Sequence, residues 1–220
     1  MCDIRKDIEK LFRVIDKCIT VEVIGGEPFL YRGMNEVLEM LIGMDKIEMV
    51  EITTNGTLMP QDTLLPLLKN EKVFVQISDY GKYNAEKKRS LIQLFEKHGI
   101  NYTELSALKW IDSGNMERRG QKRYKLKYKF FNCFASIECR TLWDGRLFVC
   151  GRAPALYELG KSKDISNYLG INELEDLSIL EGKERLRKFY MQDYAECCDF
   201  CDYANIHPKY IPNGIQIKKG

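Results

Sequence analysis

The sequence lacks the features that would assign it to a membrane or to export. It has no run of 18 apolar residues, which a membrane-spanning helix would need. Its first ten residues, MCDIRKDIEK, carry charges where a signal peptide would need an apolar segment, so we expect a cytoplasmic protein. The formal net charge is only +2, which does not point to nucleic acid, a membrane surface or an acidic substrate.

Histidine is also scarce. The only two histidines, His98 and His207, leave little material for a serine or cysteine hydrolase, and no G-x-S-x-G motif occurs. Nucleophilic hydrolysis is therefore not expected.

The pattern of apolar residues predicts an α/β fold. The 220 residues, 45% of them hydrophobic, suffice for one sizeable domain or for one domain with a smaller appendage. Predicted strands at 20–24, 47–53, 73–78 and 100–105 alternate with helices at 34–42, at 61–68 and between Asn84, a predicted N-cap, and Gly99, a predicted C-cap. This alternation indicates βαβ units and a parallel sheet.

An amphipathic helix is predicted at 3–16, before the first strand. Ile8 and Leu11 lie on its apolar stripe, and charged residues, Asp7 among them, are expected on the opposite face. Because no strand precedes this helix, we predict a barrel or sheet without its first strand.

Three predicted turns follow strands and should share one rim, because the carboxyl ends of parallel strands meet at the same edge. They are GGEP at 25–28, TNGT at 54–57 and SDYG at 78–81. In GGEP, two glycines let a ligand approach the backbone closely, and Glu27 either offers a carboxylate to a cation or faces solvent in a plain turn. The candidate binding residues are Gly25, Gly26, Glu27, Pro28, Asn55, Ser78 and Asp79.

Eight cysteines in a chain expected in the cytosol favour metal binding over disulfides. Six form two groups, and a hairpin turning at Asp144-Gly145 is predicted within the first. Zinc, Cu(I) and iron-sulfur clusters all accept such thiolates. The candidate ligands are Cys133, Cys139, Cys150, Cys198 and Cys201. The remaining pair, Cys2 and Cys18, is predicted to be free thiols.

A basic stretch at 117–130 carries seven Lys or Arg residues against one Glu. It is interpreted as a solvated face, with nucleic-acid or phosphate contact as the alternative, because Tyr124, Tyr128 and Phe130 interleave with the charges. We predict a sheet domain at 1–106, a basic connecting segment at 107–132 and a cysteine-bearing domain at 133–220.

GGEPFLY after one strand and TTNGT after the next resemble the radical S-adenosylmethionine (radical SAM) enzymes. The resemblance implies an incomplete parallel (β/α) barrel in which Gly25, Gly26, Glu27 and Pro28 bind the amino group of SAM. It also implies a contact between the SAM ribose and Ser78 or Asp79.

The cysteine region resembles the SPASM or twitch extension of the same superfamily, which carries auxiliary [4Fe-4S] clusters. Cys133, Gly145 and Cys150 match its spacing, and Cys139 falls where an extra ligand is expected. Since only Cys197, Cys198 and Cys201 follow downstream, the resemblance implies one auxiliary cluster.

The chain departs from the family in one motif: Cys-x3-Cys-x2-Cys, which holds the SAM-cleaving cluster, is absent. Truncation and degeneration both explain this, and we favour truncation. The intact enzyme would cleave SAM reductively to a 5′-deoxyadenosyl radical and abstract hydrogen from a small-molecule or peptide substrate, with flavodoxin or ferredoxin as reductant. The chain itself is expected to be inactive. The alternatives are a non-enzymatic zinc-binding or interaction protein and, less favoured, a nucleic-acid binder.

Overall fold

The computed structural model describes residues 4–204 and 207–214. The chain forms two compact units. The sheet unit comprises residues 17–110 and 211–214, and the hairpin unit comprises residues 4–16 and 111–210. The first helix, α1 (Ile4–Val14), therefore belongs to the hairpin unit, together with residues that follow the sheet in sequence.

The sheet unit is built on four parallel strands in the spatial order β1-β2-β3-β4. The strands are β1 (Cys18–Val23), β2 (Ile47–Thr54), β3 (Val73–Asp79) and β4 (Tyr102–Ser106). The helices are α2 (Met34–Gly43), α3 (Leu65–Leu68) and α4 (Ala85–His98). The predicted alternation of strands and helices is confirmed, as is the left-handed cap at Gly99, whose φ is 67°.

One face of the sheet forms the core of this unit. The strand residues buried on it are Val50, Ile52, Thr54, Val73, Val75 and Ile77. Apolar side chains of α2, α3 and α4 are buried as well, and these helices contact β2 and β3. Strands that are neighbours both in space and in sequence, joined by right-handed crossovers, keep their helices on one side. This is the winding of a (β/α) barrel, whereas a doubly wound sheet reverses its strand order.

The opposite face of the sheet is more polar and partly exposed. Its register places Glu22 beside Glu51 and Thr53 beside Gln76. Burial, and then the neighbouring charge of Glu22, raise the pKa of Glu51. The α/β class and the parallel sheet are confirmed. Across the described residues the sheet is open and does not close into a barrel, so the assignment to a radical SAM barrel stays a prediction.

The hairpin unit contains a three-stranded antiparallel sheet. This sheet has the order β6-β7-β8. Two other short strands, β5 (Lys109–Ile111) and β9 (Tyr210–Pro212), pair with each other, and most of their residues belong to the sheet unit. The strands of the three-stranded sheet are β6 (Thr141–Trp143), β7 (Arg146–Phe148) and β8 (Tyr168–Gly170). Besides α1, the hairpin unit contains the helices α5 (Arg123–Phe131), α6 (Phe134–Glu138), α7 (Ala153–Glu158) and α8 (Ile179–Tyr190). No helix of either unit, as far as the structure describes them, is long and apolar enough to cross a membrane.

The predicted hairpin turn is confirmed. Trp143 pairs with Arg146, and the two residues between them, Asp144 and Gly145, have φ angles of 42° and 71°. Such a two-residue turn matches the twist of the strands that it joins.

Helix α1 packs into the core of the hairpin unit. Its Leu11 and Val14 lie in the same buried cluster as Phe148. Gly182 of α8 allows a close approach, because a Cβ atom at this position would lie 2.5 Å from Cγ1 of Val14. The predicted domain at 1–106 included this helix, whereas the compact units group it with residues 111–210.

Asp7 differs from its expected place on the solvent-facing side of α1. It is only 2% exposed, and its Oδ2 accepts a hydrogen bond from the backbone nitrogen of Gly145 at 2.9 Å. A buried carboxylate needs such a donor. The first helix thereby fixes the hairpin turn 138 residues further along the chain.

Candidate functional site

The three predicted turns lie at the carboxyl ends of three adjacent parallel strands. GGEP follows β1, TNGT begins at the last residue of β2, and SDYG begins within the last two residues of β3. The shared rim expected from the sequence is therefore present in the sheet unit. It brings together all seven predicted residues: Gly25, Gly26, Glu27, Pro28, Asn55, Ser78 and Asp79.

Glu27 is buried within this rim. Its Oε1 accepts hydrogen bonds from the Thr54 hydroxyl at 2.7 Å and the Phe29 backbone nitrogen at 3.3 Å. Its Oε2 accepts one from the backbone nitrogen of Asn55 at 2.8 Å. Since only 8% of the residue is exposed, the alternative of a solvent-facing glutamate in a plain turn is wrong. The carboxylate instead joins the GGEP turn to the end of β2. Because its oxygens already accept hydrogen bonds from the protein, the backbone of the turn is the main contact available to a ligand's ammonium group.

The two glycines of GGEP adopt backbone conformations that favour glycine. The φ angles are 113° at Gly25 and 54° at Gly26, and a Cβ atom at either position would meet nothing within 4 Å. Among the described residues, no backbone hydrogen bond ends on the carbonyl oxygen of either glycine. Both glycines are exposed, so their carbonyl oxygens can receive the N–H groups of a ligand.

Asn84 links the ends of β2 and β3. Its Nδ2 donates to the carbonyl oxygens of Asn55 at 2.9 Å and Ser78 at 2.8 Å, and its Oδ1 accepts from the backbone nitrogen of Tyr80 at 3.1 Å. The Asn55 side chain accepts from the backbone nitrogen of Thr57 at 2.9 Å. Helix α4 does begin after Asn84, but the expected side-chain cap is wrong because this side chain bonds across the rim.

Lys88 of α4 forms the corresponding link between β3 and β4. Its Nζ lies 3.0 Å from Oδ1 of Asp79 and 2.5 Å from Oε2 of Glu104. The hydrogen bond from Lys88 lowers the pKa of Asp79, and the bonds to Glu104 and Asp79 raise the pKa of Lys88. Glu27, Asn84 and Lys88 thus join all four strand ends. The sequence did not reveal the latter two links, because neither residue belongs to a turn motif.

The hairpin unit carries a second candidate site, made of six cysteines that form no disulfides with one another: Cys133, Cys139, Cys150, Cys197, Cys198 and Cys201. The Cys197 thiol is hydrogen-bonded to those of Cys150 and Cys198. Its bond to Cys150 lowers the pKa of Cys150 to about 6 and raises its own pKa well above the ordinary value. Cys133 and Cys201 interact electrostatically with Cys150, although burial is the main cause of their raised pKa values.

Cys197 was missing from the predicted ligands. It is 3% exposed, and its backbone nitrogen donates to Oδ1 of Asn167 at 2.7 Å, which fixes the CCDFC segment. Two adjacent cysteines give no sequence signal of which one points inward. Burial lowers the pKa of Arg140 and raises the pKa of Tyr203, and the nearby Cys139 thiol acts in the upward direction on both.

The cysteine group fits a sulfur-ligated centre in its chemistry. In the part of the chain that the structure describes, no three His, Cys, Asp or Glu side chains are arranged to hold a metal ion. Several thiols are nonetheless in mutual contact. Next to them, the Nε atoms of Arg140 and Arg152 are buried without a hydrogen-bond partner among these residues. Buried donors of this kind call for a hydrogen-bond acceptor.

Comparison with known proteins identifies no relative. No protein-family model and no curated protein matches this chain. The function must therefore be argued from the rim and the cysteine group.

The basic stretch uses most of its charges inside the hairpin unit. Five of its seven cations contact carboxylate or carbonyl oxygens: Arg118, Arg119, Arg123, Lys127 and Lys129. Lys122 and Lys125 have no ion pair with any described residue. Cations that already bind carboxylates attract phosphate less strongly, so nucleic-acid contact stays the less favoured prediction.

Cys18 is a free thiol, as predicted, and lies in the sheet unit. Its thiol donates to the carbonyl oxygen of Thr20 at 3.3 Å, and burial raises its pKa. Cys2, predicted to be a second free thiol, lies outside the described residues.

Proposed function

We propose that this chain is a radical SAM-type protein. The rim of the sheet unit binds the methionine end of SAM, and the hairpin unit holds one cysteine-ligated auxiliary [4Fe-4S] cluster. The observation that carries the proposal is the locked GGEP turn. Its Glu27 carboxylate fastens the turn to the end of β2, and the carbonyls of the exposed residues Gly25 and Gly26 accept no backbone hydrogen bond from a described residue. The barrel-like winding of the sheet supports it.

The rim suits the ammonium group of SAM. An ammonium has three N–H donors and no acceptor, and the turn offers backbone carbonyl acceptors in a fixed conformation. At the end of β3, Ser78 is the better candidate for the ribose, because the Asp79 carboxylate already bonds to Lys88. When bound, SAM would supply the adenosyl group of a radical reaction, and the cluster would supply a one-electron carrier.

Four of the six cysteines of the hairpin unit would hold the cluster. Cys150 is the best supported, because the Cys197 thiol bonds to it and Cys133 and Cys201 interact with it. Cys197 and Cys198 compete for one ligand position, since their thiols are adjacent and hydrogen-bonded to each other.

Metal analysis tests the cluster. After anaerobic reconstitution with iron and sulfide, the protein is expected to be brown and to contain about four iron and four sulfide per chain. A reconstitution with zinc present serves as the competing condition. Colourless protein with one zinc and no iron would instead establish the zinc-binding alternative, which uses the same thiolates.

A binding assay tests the rim separately from catalysis. We expect the reconstituted 220-residue protein to bind SAM in equilibrium dialysis but to form no 5′-deoxyadenosine when dithionite is added, because its sequence contains no Cys-x3-Cys-x2-Cys. S-adenosylhomocysteine, which has the same α-amino and α-carboxyl groups as SAM, should compete. Formation of 5′-deoxyadenosine above a protein-free control would contradict the expected inactivity, and absence of binding would contradict the role of the rim.

A further inference from the structure

Two arginines border the cysteine group with an unusual combination of burial and missing partners. Arg140 directly follows Cys139, and Arg152 lies two residues after Cys150. In each, the Nε atom is buried and has no hydrogen-bond partner among the described residues. Neither guanidinium forms an ion pair with a carboxylate within residues 4–204 and 207–214.

Arg140 is held in place by backbone carbonyls and an aromatic ring. Its Nη1 donates to the carbonyl oxygens of Ser136 at 2.6 Å and Cys139 at 2.7 Å, and its guanidinium lies 4.5 Å from the ring centre of Tyr190. Burial lowers its pKa, while the thiols of Cys150 and Cys139 act in the opposite direction. The fixed guanidinium therefore lies within electrostatic reach of two candidate ligands.

Arg152 is placed in a similar way from another element. Its Nη2 donates to the carbonyl oxygens of Gly114 at 2.7 Å and Phe200 at 3.3 Å. Its backbone nitrogen donates to the Cys150 thiol, and its guanidinium stabilises the charged form of Cys201. Each arginine thus has one outer nitrogen bonded to backbone carbonyl oxygens, Nη1 in Arg140 and Nη2 in Arg152, whereas its inner Nε–H has no partner among the described residues.

A partly buried cation without a counter-ion is costly, and here the nearby groups able to become anions are thiols. Four thiolates around a [4Fe-4S] core carry a net negative charge, which grows when the core gains an electron. We propose that Arg140 and Arg152 are the charge-compensating residues of this cluster, with their Nε–H groups donating to its sulfur atoms and favouring its reduced form. The inference rests on the proposed cysteine-ligated cluster and adds the groups that set its potential.

The midpoint potential of the cluster tests this inference. Arg140→Gln and Arg152→Gln, each in the full reconstituted chain, should lower the potential so that, at the wild-type midpoint, the ratio of reduced to oxidised cluster falls about tenfold. For one electron this corresponds to about 59 mV. Arg140→Lys and Arg152→Lys keep the charge and should restore most of the difference. The potential is followed by the visible absorbance of the cluster during a redox titration.

Arg185→Gln is the matched control. Arg185 lies on α8 of the same unit, is half-exposed and pairs with Glu173 at 2.7 Å, so its removal should leave the potential unchanged. If the glutamine variants do not retain iron, the lysine variants distinguish the two explanations. Recovery of both the iron content and the midpoint potential in the lysine variants supports the inference. Loss of iron in the lysine variants as well would show that the arginines have only a structural role. Glutamine variants that load iron at the wild-type potential would overturn it.

The wild-type protein separates this inference from the function on which it rests. Wild-type protein that takes up no iron defeats the proposed cluster before any variant is made. Wild-type protein with a full cluster whose potential is insensitive to both arginines leaves the proposed function standing and removes only the inference.

Discussion

Replacing Glu27 with glutamine is expected to destabilise the sheet unit by about 2–4 kcal/mol, because the buried carboxylate accepts three hydrogen bonds from protein donors. A glutamine amide must present its NH2 group to at least one of these donors, which leaves a buried N–H or O–H unpaired. SAM binding should weaken at least about tenfold in the same variant, since the turn that presents the Gly25 and Gly26 carbonyls loses its fixed position.

Glu22→Gln is the matched control for this substitution. Glu22 also accepts a hydrogen bond from a β2 threonine, Thr53, at 2.7 Å, but it is exposed. Its replacement should change stability by no more than about 0.5 kcal/mol. Equal losses in the two variants would contradict the role assigned to burial.

The two tryptophans allow the units to be followed separately during urea unfolding. Trp110 belongs to the sheet unit, where its ring lies 6.3 Å from that of Tyr80, and Trp143 belongs to the hairpin unit. In a Trp143→Phe background, tryptophan fluorescence reports the sheet unit alone. The loss of stability caused by Glu27→Gln should therefore appear as a lower urea midpoint in the Trp110 fluorescence.

Replacing Cys150 with serine is expected to abolish the auxiliary cluster. Iron should fall from about four to less than about one per chain after reconstitution, because serine oxygen is a harder and weaker ligand for iron-sulfur centres than thiolate. The readouts are iron and sulfide content and the loss of the brown colour.

Cys18→Ser is the control for the cluster experiment. Cys18 lies in the sheet unit and bonds to the Thr20 carbonyl, so its replacement should leave iron content unchanged. Retention of iron by Cys150→Ser would contradict the assignment. Cys197→Ser and Cys198→Ser, made in parallel, show which of these two adjacent cysteines is the cluster ligand.

Much of the sheet unit could be predicted from local sequence patterns. The apolar pattern, and the turns and the cap predicted from Gly25, Gly26 and Gly99, depend on neighbours within a few residues. The order of the predicted strands then placed the three turns at one edge of the sheet. The Asp144-Gly145 hairpin was predictable for the same reason, because a two-residue turn with positive φ angles favours these residue types.

The links that hold the rim together were not predictable in this way. Glu27 meets its partners 27 and 28 residues away, and Asn84 reaches Asn55 from 29 residues away. A charged or amide residue in a turn is usually solvated, and only the tertiary structure shows that these are buried. The same holds for Asp7, whose partner lies across the hairpin unit.

The hairpin unit is built from two chain segments that lie on either side of the sheet unit in sequence, and this determines when its core can form during synthesis. Helix α1 is translated before the strands of the sheet unit, but its packing partners, the 3₁₀ segment Ile171–Leu174 and helix α8, are translated only after them. The apolar stripe of α1 therefore lacks these partners while residues 17–110 emerge from the ribosome. Of the two units, only the sheet unit can form its main core early in translation, whereas closing the other requires a chain segment of more than 150 residues.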